Sequence, residues 1–310
     1  MNKEFNKVGI RMKIFKIITL SAIMVLSCFT QAQDNKMQNK VKTYQEKAIP
    51  KVSVQLWSVK HELKSDFKGT LKQISAMGFD GVEFAGDFGP YNDDAKGLKY
   101  FLDGLGLQVS AAHINFTAFD EENFDKSVAF YKALETDTLI VAWDDRAWDS
   151  LKVDSLLADL NELFIKLKAE GFHFGYHNHE QEFDDYNGET FWDHIAKSTP
   201  KDFVLQMDVG WVTLAEKDPV VYINRYPNRT LTTHIKAKLP RDVAAKMATN
   251  GKRQIVGDDV TDWAAVLKAD IMVGGTKWFV IEQEEYPDGL TPLQAVKLSK
   301  QGLDKAIINL

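Results

Sequence analysis

Imidazole and carboxylate side chains are concentrated in a few short segments of this 310-residue chain. The segment GFHFGYHNHEQEF, residues 171–183, holds His173, His177 and His179, three of the seven histidines in the sequence. Its residues alternate as in a strand, with aromatic side chains on one face and imidazoles on the other. Such a face could bind a metal ion, transfer protons, or be the solvated face of an antiparallel sheet. The kind of sheet around the segment decides among these.

A strand followed by an amphipathic helix recurs from residue 50 onwards. The pattern predicts strands at 51–57, 81–85, 107–114, 138–143, 172–179, 203–208, 230–236 and 277–284, with helices that include 66–78, 123–134, 153–171, 262–270 and 291–307. Eight strand–helix pairs at intervals of roughly 30 residues are typical of a (β/α)₈ barrel, an α/β fold. An open doubly wound sheet is the alternative, and it is disfavoured because no glycine-rich phosphate turn follows the first strand.

The carboxyl ends of barrel strands form the mouth in which active sites of this fold lie. Strand alternation places these side chains there: Gln55, Trp57, Glu83, His113, His177, His179, Gln206, Asp208, His234, Lys236, Glu282 and Glu284. So many titratable groups in one pocket would be costly to desolvate if they were unpaired. One divalent cation would remove that conflict, and mixed imidazole and carboxylate ligands suit Mn²⁺, Zn²⁺, Co²⁺ or Fe²⁺. His173, deeper in the strand, is predicted to be a buried, hydrogen-bonded barrel residue.

Five segments at these strand ends resemble a known family. They are GFDGVEF (78–84), YHNHEQEF (176–183), LQMDVGWVTLAEKDPVVYINRYPNR (205–229), HIKAK (234–238) and FVIEQE (279–284). In this order they are similar to the sugar phosphate isomerase/epimerase group of the xylose isomerase-like TIM barrels. The resemblance covers the body of the chain and implies a single TIM barrel domain over residues 50–310.

The resemblance also implies one divalent metal ion, held after the fifth to eighth strands. Carried onto this sequence, the ligand set is His177, Asp208, His234 and Glu282. Many relatives have a glutamate at the fifth strand where this chain has His177. The imidazole could replace that carboxylate, the metal could be bound more weakly, or His179 or Glu180 could take over as ligand.

The chemistry implied by the family is proton movement next to a carbonyl. It predicts an exported, metal-dependent isomerase or epimerase that acts on a keto sugar or keto-glycoside through a metal-stabilised enediolate. The alternatives are a dehydratase or lyase that eliminates a β-oxygen after the same enolisation, and a non-catalytic sugar-binding barrel. In 3-epimerase relatives two metal-bound glutamates share the proton transfer. Replacement of one of them by His177 therefore adds weight to elimination.

Individual roles follow from the same argument. The catalytic candidates are Glu282, His113, Glu83 and His179, and the substrate-binding candidates are Gln55, Trp57, Glu182, Trp211 and Lys236. Trp57, Trp143 and Trp211 lie near predicted strand ends, where their rings could stack on a sugar.

The N-terminal residues have the pattern of an export signal. Residues 1–33 could start at Met12, after which Lys13 and Lys16 precede an apolar run and a small, polar end, and residues 34–49 read as a polar tether. The mature protein is therefore predicted to be periplasmic, with lipid anchoring through Cys28 as the lesser alternative.

Charge and hydropathy limit the classes of partner that the protein could bind. The net charge of −6 is spread along the chain without a basic stripe, which argues against nucleic acid and against an endonuclease IV-like activity. No apolar run after the N-terminus is long enough to span a bilayer. A small carbohydrate is the expected partner, and a homo-oligomer is left open.

Overall fold

The computed structural model describes residues 48–241, 243 and 251–310. The predicted export signal at 1–33 and most of the predicted tether at 34–49 therefore lie outside the described residues. None of the helices in the described part is both long and apolar enough to cross a membrane.

Eight parallel strands close into a barrel, as predicted. The barrel strands are β1 Lys51–Gln55, β2 Gly81–Phe84, β3 Gln108–Ile114, β4 Thr138–Val141, β5 His173–His177, β8 Val204–Asp208, β9 Thr232–Ile235 and β10 Trp278–Ile281. A separate hairpin between β5 and β8 consists of β6 Asp185–Tyr186 and β7 Glu189–Thr190. β1 pairs in parallel with both β2 and β10, which closes the barrel, while β6 and β7 pair only with each other. This small antiparallel hairpin was not predicted.

Helices lie between the barrel strands along the chain. They are α1 Lys60–Ser65, α2 Phe67–Ala76, α3 Ala95–Asp103, α4 Phe124–Ala133, α5 Val153–Ala169, α6 Phe191–Ser198, α7 Val209–Leu214, α8 Pro219–Arg225, α9 Trp263–Ala269 and α10 Pro292–Ile308. Local capping sets several boundaries: the side chain of Asp66 accepts a backbone N–H at the start of α2, and Thr291 forms a capping box with Gln294 at the start of α10. The apolar faces of these helices belong to the buried core that surrounds the strands.

The parallel register brings polar residues of neighbouring strands side by side at the carboxyl end of the barrel. His177 of β5 lies opposite Gln206 of β8, and Asp208 of β8 lies opposite His234 of β9. Gly175 permits the first of these pairings, because a Cβ at that position would stand 2.0 Å from the carbonyl oxygen of Val204. Strand register therefore assembles the cluster that the alternation pattern predicted.

Three predictions about the strands need correction. β1 ends at Gln55 and β5 ends at His177, so Trp57 lies in the short 3-10 helix Leu56–Val59 and His179 lies in the loop after β5. His173 is not a buried barrel residue: it is exposed, because it is the first residue of β5 and lies at the end of the barrel opposite the mouth.

Candidate active site

Four side chains from four neighbouring strands converge at the carboxyl end of the barrel. The donor atoms of His177, Asp208, His234 and Glu282 all lie within 4.8 Å of one another, and all four side chains are buried. These are the four residues of the predicted ligand set. Two imidazoles and two carboxylates at this spacing are a donor set suited to a transition-metal ion.

His234 is fixed between two carboxylates. Its Nε2 lies 2.6 Å from Oε1 of Glu83, and its Nδ1 lies 2.7 Å from Oε2 of Glu282. Burial alone would lower the pKa of His234, but the charges and hydrogen bonds of these carboxylates raise it to about 10. Glu83 thus holds the far side of the ring while Nδ1 faces the cluster, an arrangement common for metal-binding histidines.

His177 is held in the same way by a neutral partner. Its Nδ1 lies 2.9 Å from Oε1 of Gln206, while its Nε2 faces Oδ2 of Asp208 at 3.8 Å. An amide oxygen can only accept, so Nδ1 carries the proton and Nε2 keeps a free lone pair. Burial also keeps the pKa of His177 well below its ordinary value. The ring is therefore a neutral ligand aimed at the cluster.

Asp208 supplies the clearest sign that a cation fits here. Its Oδ2 is buried and accepts no hydrogen bond from any described group, with the Nζ of Lys236 at 3.6 Å as its nearest cation. Burial raises the pKa of Asp208 to about 6, and the charge of Lys236 offsets only part of that rise. An orphaned buried carboxylate oxygen is costly, and a metal ion at the cluster would satisfy it. The residues present thus fit a divalent metal ion.

Lys236, predicted to bind substrate, is instead surrounded by carboxylates. Its ammonium group lies 3.3 Å from Oε1 of Glu282, contacts Glu284, and stands over the ring of Trp211. The side chain is only 1% exposed. Its contacts indicate that it balances the charge of the ligand carboxylates.

A cavity of about 470 Å³, called the main cavity here, opens directly above the cluster. Its lining includes His177, His179 and Glu282 together with the rings of Trp57, Trp143 and Trp211. The structure thus brings the three tryptophans together around one cavity. Hydrogen bonds orient two of the indoles, from Trp57 to Glu284 and from Trp143 to Asp145. Aromatic walls around a few polar groups are typical of small-molecule sites.

His179 is the imidazole in this cavity with no hydrogen-bond partner on its ring. It lies between the rings of Trp143 and Trp211, at centroid distances of 4.5 and 5.3 Å, and its buried Nδ1 is unpaired among the described groups. Burial, helped by the charge of Lys236, lowers its pKa to about 3. The ring is consequently neutral and has a free acceptor nitrogen.

Other candidate residues lie behind the cluster. Glu83 and Gln55 are completely buried, and the amide of Gln55 donates to Glu83 at 2.7 Å. Glu182 is also buried and accepts from the hydroxyl of Tyr176 and the backbone N–H of His179. These contacts favour positioning roles, and their catalytic or substrate-binding roles stay predictions.

His113 lines the main cavity, but both of its ring nitrogens are engaged. Nε2 lies 2.7 Å from Oε1 of Gln206, and Nδ1 lies 3.3 Å from the amide of Gln55. Sequence reasoning did not identify Gln206 as a hub, although its amide oxygen meets both His113 and His177. The period-2 pattern that points Gln206 inward was the available signal.

Asn178 was also missed. It is completely buried, and its side chain bonds to both the backbone N–H and the carbonyl of Asp208. Asn178 therefore locks the ends of β5 and β8 together. Its position between the two histidines of the YHNH stretch was the only available signal.

Comparisons with known proteins identify the family of the chain and a group of similar enzymes. A family model described as xylose isomerase-like TIM barrel matches residues 71–306. The inosose dehydratase of Lacticaseibacillus casei is 25% identical over 276 residues, which cover 77% of this chain and 89% of that protein.

Two solved structures support the fold. A sugar phosphate isomerase/epimerase from Parabacteroides distasonis ATCC 8503 has 23% identity and a TM-score of 0.67, and covers 82% of this chain and 98% of its own. The IolI protein with a bound zinc atom has 14% identity and a TM-score of 0.61, and covers 84% of this chain and 98% of its own. Likeness at this level of identity concerns the fold alone.

The prediction of an isomerase or epimerase is wrong in the light of these comparisons. The curated relative is a dehydratase, which favours the alternative prediction, elimination of a β-oxygen.

Proposed function

The chain belongs to the xylose isomerase-like TIM barrel family, and we propose that it is a metal-dependent lyase that eliminates a β-oxygen from a keto sugar. The observation that carries the proposal is the cluster of His177, Asp208, His234 and Glu282 at the floor of the main cavity. The likeness to an inosose dehydratase supports elimination as the outcome. Export to the periplasm remains part of the proposal.

A divalent ion bound by these four residues would polarise the keto oxygen and acidify the neighbouring C–H bond. The protein contributes the geometry around it. Gln206 and Glu83 hold the two ligand imidazoles so that one nitrogen of each faces the cluster. The tryptophan rings of the main cavity bind the sugar face and exclude water from the reacting carbon.

We assign proton removal to His179. Its ring lines the main cavity, and its buried Nδ1 has no hydrogen-bond partner among the described groups. The proton on the carbon next to the ketone moves to this nitrogen, and the electron pair of the C–H bond forms a C=C bond. The β C–O bond breaks, its oxygen leaves with the bonding pair and takes up a proton from solvent, and the products are an α,β-unsaturated ketone and water.

The test is incubation of manganese- or zinc-loaded protein in D₂O with inosose and with 3-keto sugars. Elimination predicts the ultraviolet absorbance of an enone and loss of the C–H signal in proton NMR. Epimer or aldose formation without enone would contradict the proposal. No change in any substrate would favour a binding barrel.

A pair of histidine variants tests the assignment of the base. His179→Asn is expected to lower kcat by about 10²- to 10⁴-fold with unchanged metal content, the range typical of a lost general base. His194→Asn is the matched control, since His194 lies on α6 and bonds to Asp154 away from the main cavity. Equal activity of the two variants would remove His179 from the mechanism.

A further inference from the structure

A second cavity adjoins the main cavity and has no role in the chemistry described so far. It measures about 590 Å³, and we call it the side chamber. Ala85, His113, Ala142 and Trp143 line both cavities, so the two communicate beside the β2, β3 and β4 strand ends. Whatever leaves the reacting sugar on this side has room far beyond that needed by a water molecule.

The wall of the side chamber is aromatic and rigid. Phe88 packs edge-on against Phe130, with centroids 4.7 Å apart, and Tyr131 packs against both rings. Phe88 and Tyr131 are almost fully buried within this group. A fixed aromatic wall offers stacking surface to a flat or cyclic group at little entropic cost.

The polar groups of the side chamber indicate an uncharged occupant. Lys126 is its one lysine among the described lining residues, which include no arginine, aspartate or glutamate, and its ammonium is paired with Asp93 at 2.8 Å. The side chain of Asn115 is already bonded to the backbone of Ala118. By contrast, no hydrogen bond to another described group engages the hydroxyl of Tyr131. A free phenol without a free charge suits a neutral hydroxyl-bearing ligand.

We propose that the side chamber binds the alcohol part of a keto-glycoside, so that the group eliminated is an uncharged cyclic alcohol, glycosyl or aryl, rather than water. This inference rests on the proposed elimination and narrows its substrate class. The proton next to the ketone goes to the base, its electron pair forms the C=C bond, and the glycosidic C–O bond breaks. The alcohol oxygen takes the bonding pair and a proton, giving an enone sugar and a free alcohol with no further reactant.

The test compares p-nitrophenyl 3-keto-β-glucoside with free 3-ketoglucose. Ala118→Trp fills the side chamber from a residue that does not line the main cavity. It is expected to raise KM for the aryl keto-glucoside by about tenfold, as expected for loss of a stacked ring, and to leave deuterium exchange into 3-ketoglucose unchanged. Ala118→Ser is the matched control and should change neither. Tyr131→Phe, which keeps the ring, should raise KM for the glucoside alone.

The possible failures are distinguishable. Suppose that the wild type converts both substrates. If Ala118→Trp then converts both as well as the wild type, or is impaired equally with both, alcohol binding in the side chamber is refuted while the proposed elimination is retained. If neither substrate exchanges deuterium, the proposed function fails. Calorimetry with unoxidised p-nitrophenyl glucoside then tests separately whether the side chamber binds the alcohol part. Weaker binding by Ala118→Trp than by the wild type supports this role, and equal binding refutes it.

Discussion

Replacement of Gln206 by methionine tests whether the neutral Gln206 side chain, as a hydrogen-bonding hub, positions the metal ligands. Methionine nearly fills the same volume, but it removes the amide oxygen that lies 2.9 Å from Nδ1 of His177 and 2.7 Å from Nε2 of His113. It also removes the donor to Oε2 of Glu83 and to Oγ1 of Thr232. The imidazole of His177 then loses the bond that fixes its tautomer.

The expected loss follows from these contacts. Outer partners of metal-binding histidines are worth about 10- to 100-fold in metal affinity, or about 1.4–2.7 kcal/mol. His177 is a proposed ligand and His113 is not, so only one of the two lost imidazole bonds bears directly on the ion. We therefore expect about a tenfold loss of affinity. The buried N–H groups left without a partner should also lower the free energy of unfolding by about 1–3 kcal/mol.

The assay is competition for Zn²⁺ or Mn²⁺ with a chromophoric chelator, together with thermal unfolding of the metal-free protein. Gln283→Met is the matched control: Gln283 is as buried, and its amide bonds to Gln254, Glu285 and Ser299 outside the cluster. This control should lose stability without losing metal affinity. Equal metal affinity in Gln206→Met and the wild type would refute the hub, and so would an equal loss in both variants.

Three other outcomes are expected. Asp208→Asn should lose its metal on dialysis, measured by elemental analysis, whereas Asp270→Asn should keep it. His234, with its pKa raised to about 10 against the effect of burial, holds a proton at pH 7 that a metal ion must displace, so metal binding should tighten as pH rises, with about one proton released per ion in calorimetry across buffers. Trp143→Ala should raise KM for keto sugars by about three- to tenfold at unchanged metal affinity.

Each outcome has a matching contradiction. Asp270 is a fair control because burial raises its pKa to about 8, so an uncharged amide replaces a mostly uncharged acid. An Asp208→Asn variant that retains its metal would remove Asp208 from the ligand set. Metal affinity that is the same at pH 7 and pH 9 would show that His234 is not protonated beforehand. An unchanged KM in Trp143→Ala would remove that ring from substrate binding.

Period-2 alternation could place polar side chains at the barrel mouth because it fixes side-chain direction at strand ends, and the family resemblance then selected the ligand set among them. The height of each side chain along the barrel axis could not be predicted in this way. Glu83 points inward as expected, yet it lies behind His234, and β2 shifts register against β3 between Val82 and Glu83. A local irregularity of this kind leaves no mark on the alternation pattern.

Contacts between distant loops were equally hidden. The side chamber brings Phe88, which follows β2, against Phe130 of α4, and no local pattern relates these two positions. The reaction type was misjudged for a related reason. The strand-end residues supply the candidate metal ligands, while the fate of a leaving group depends on cavity shape, which only the assembled loops define.

The buried ammonium of Lys236 has a consequence for the choice of sugar. Three carboxylates surround it, from Asp208, Glu282 and Glu284, so a divalent ion together with this lysine would leave the group electrically neutral. Neighbouring Lys238 is already neutralised by Glu285. The described lining of the main cavity itself contains no lysine or arginine. The phosphate of a phosphorylated sugar would have no unpaired positive charge to bind there, whereas an unphosphorylated sugar does not require one.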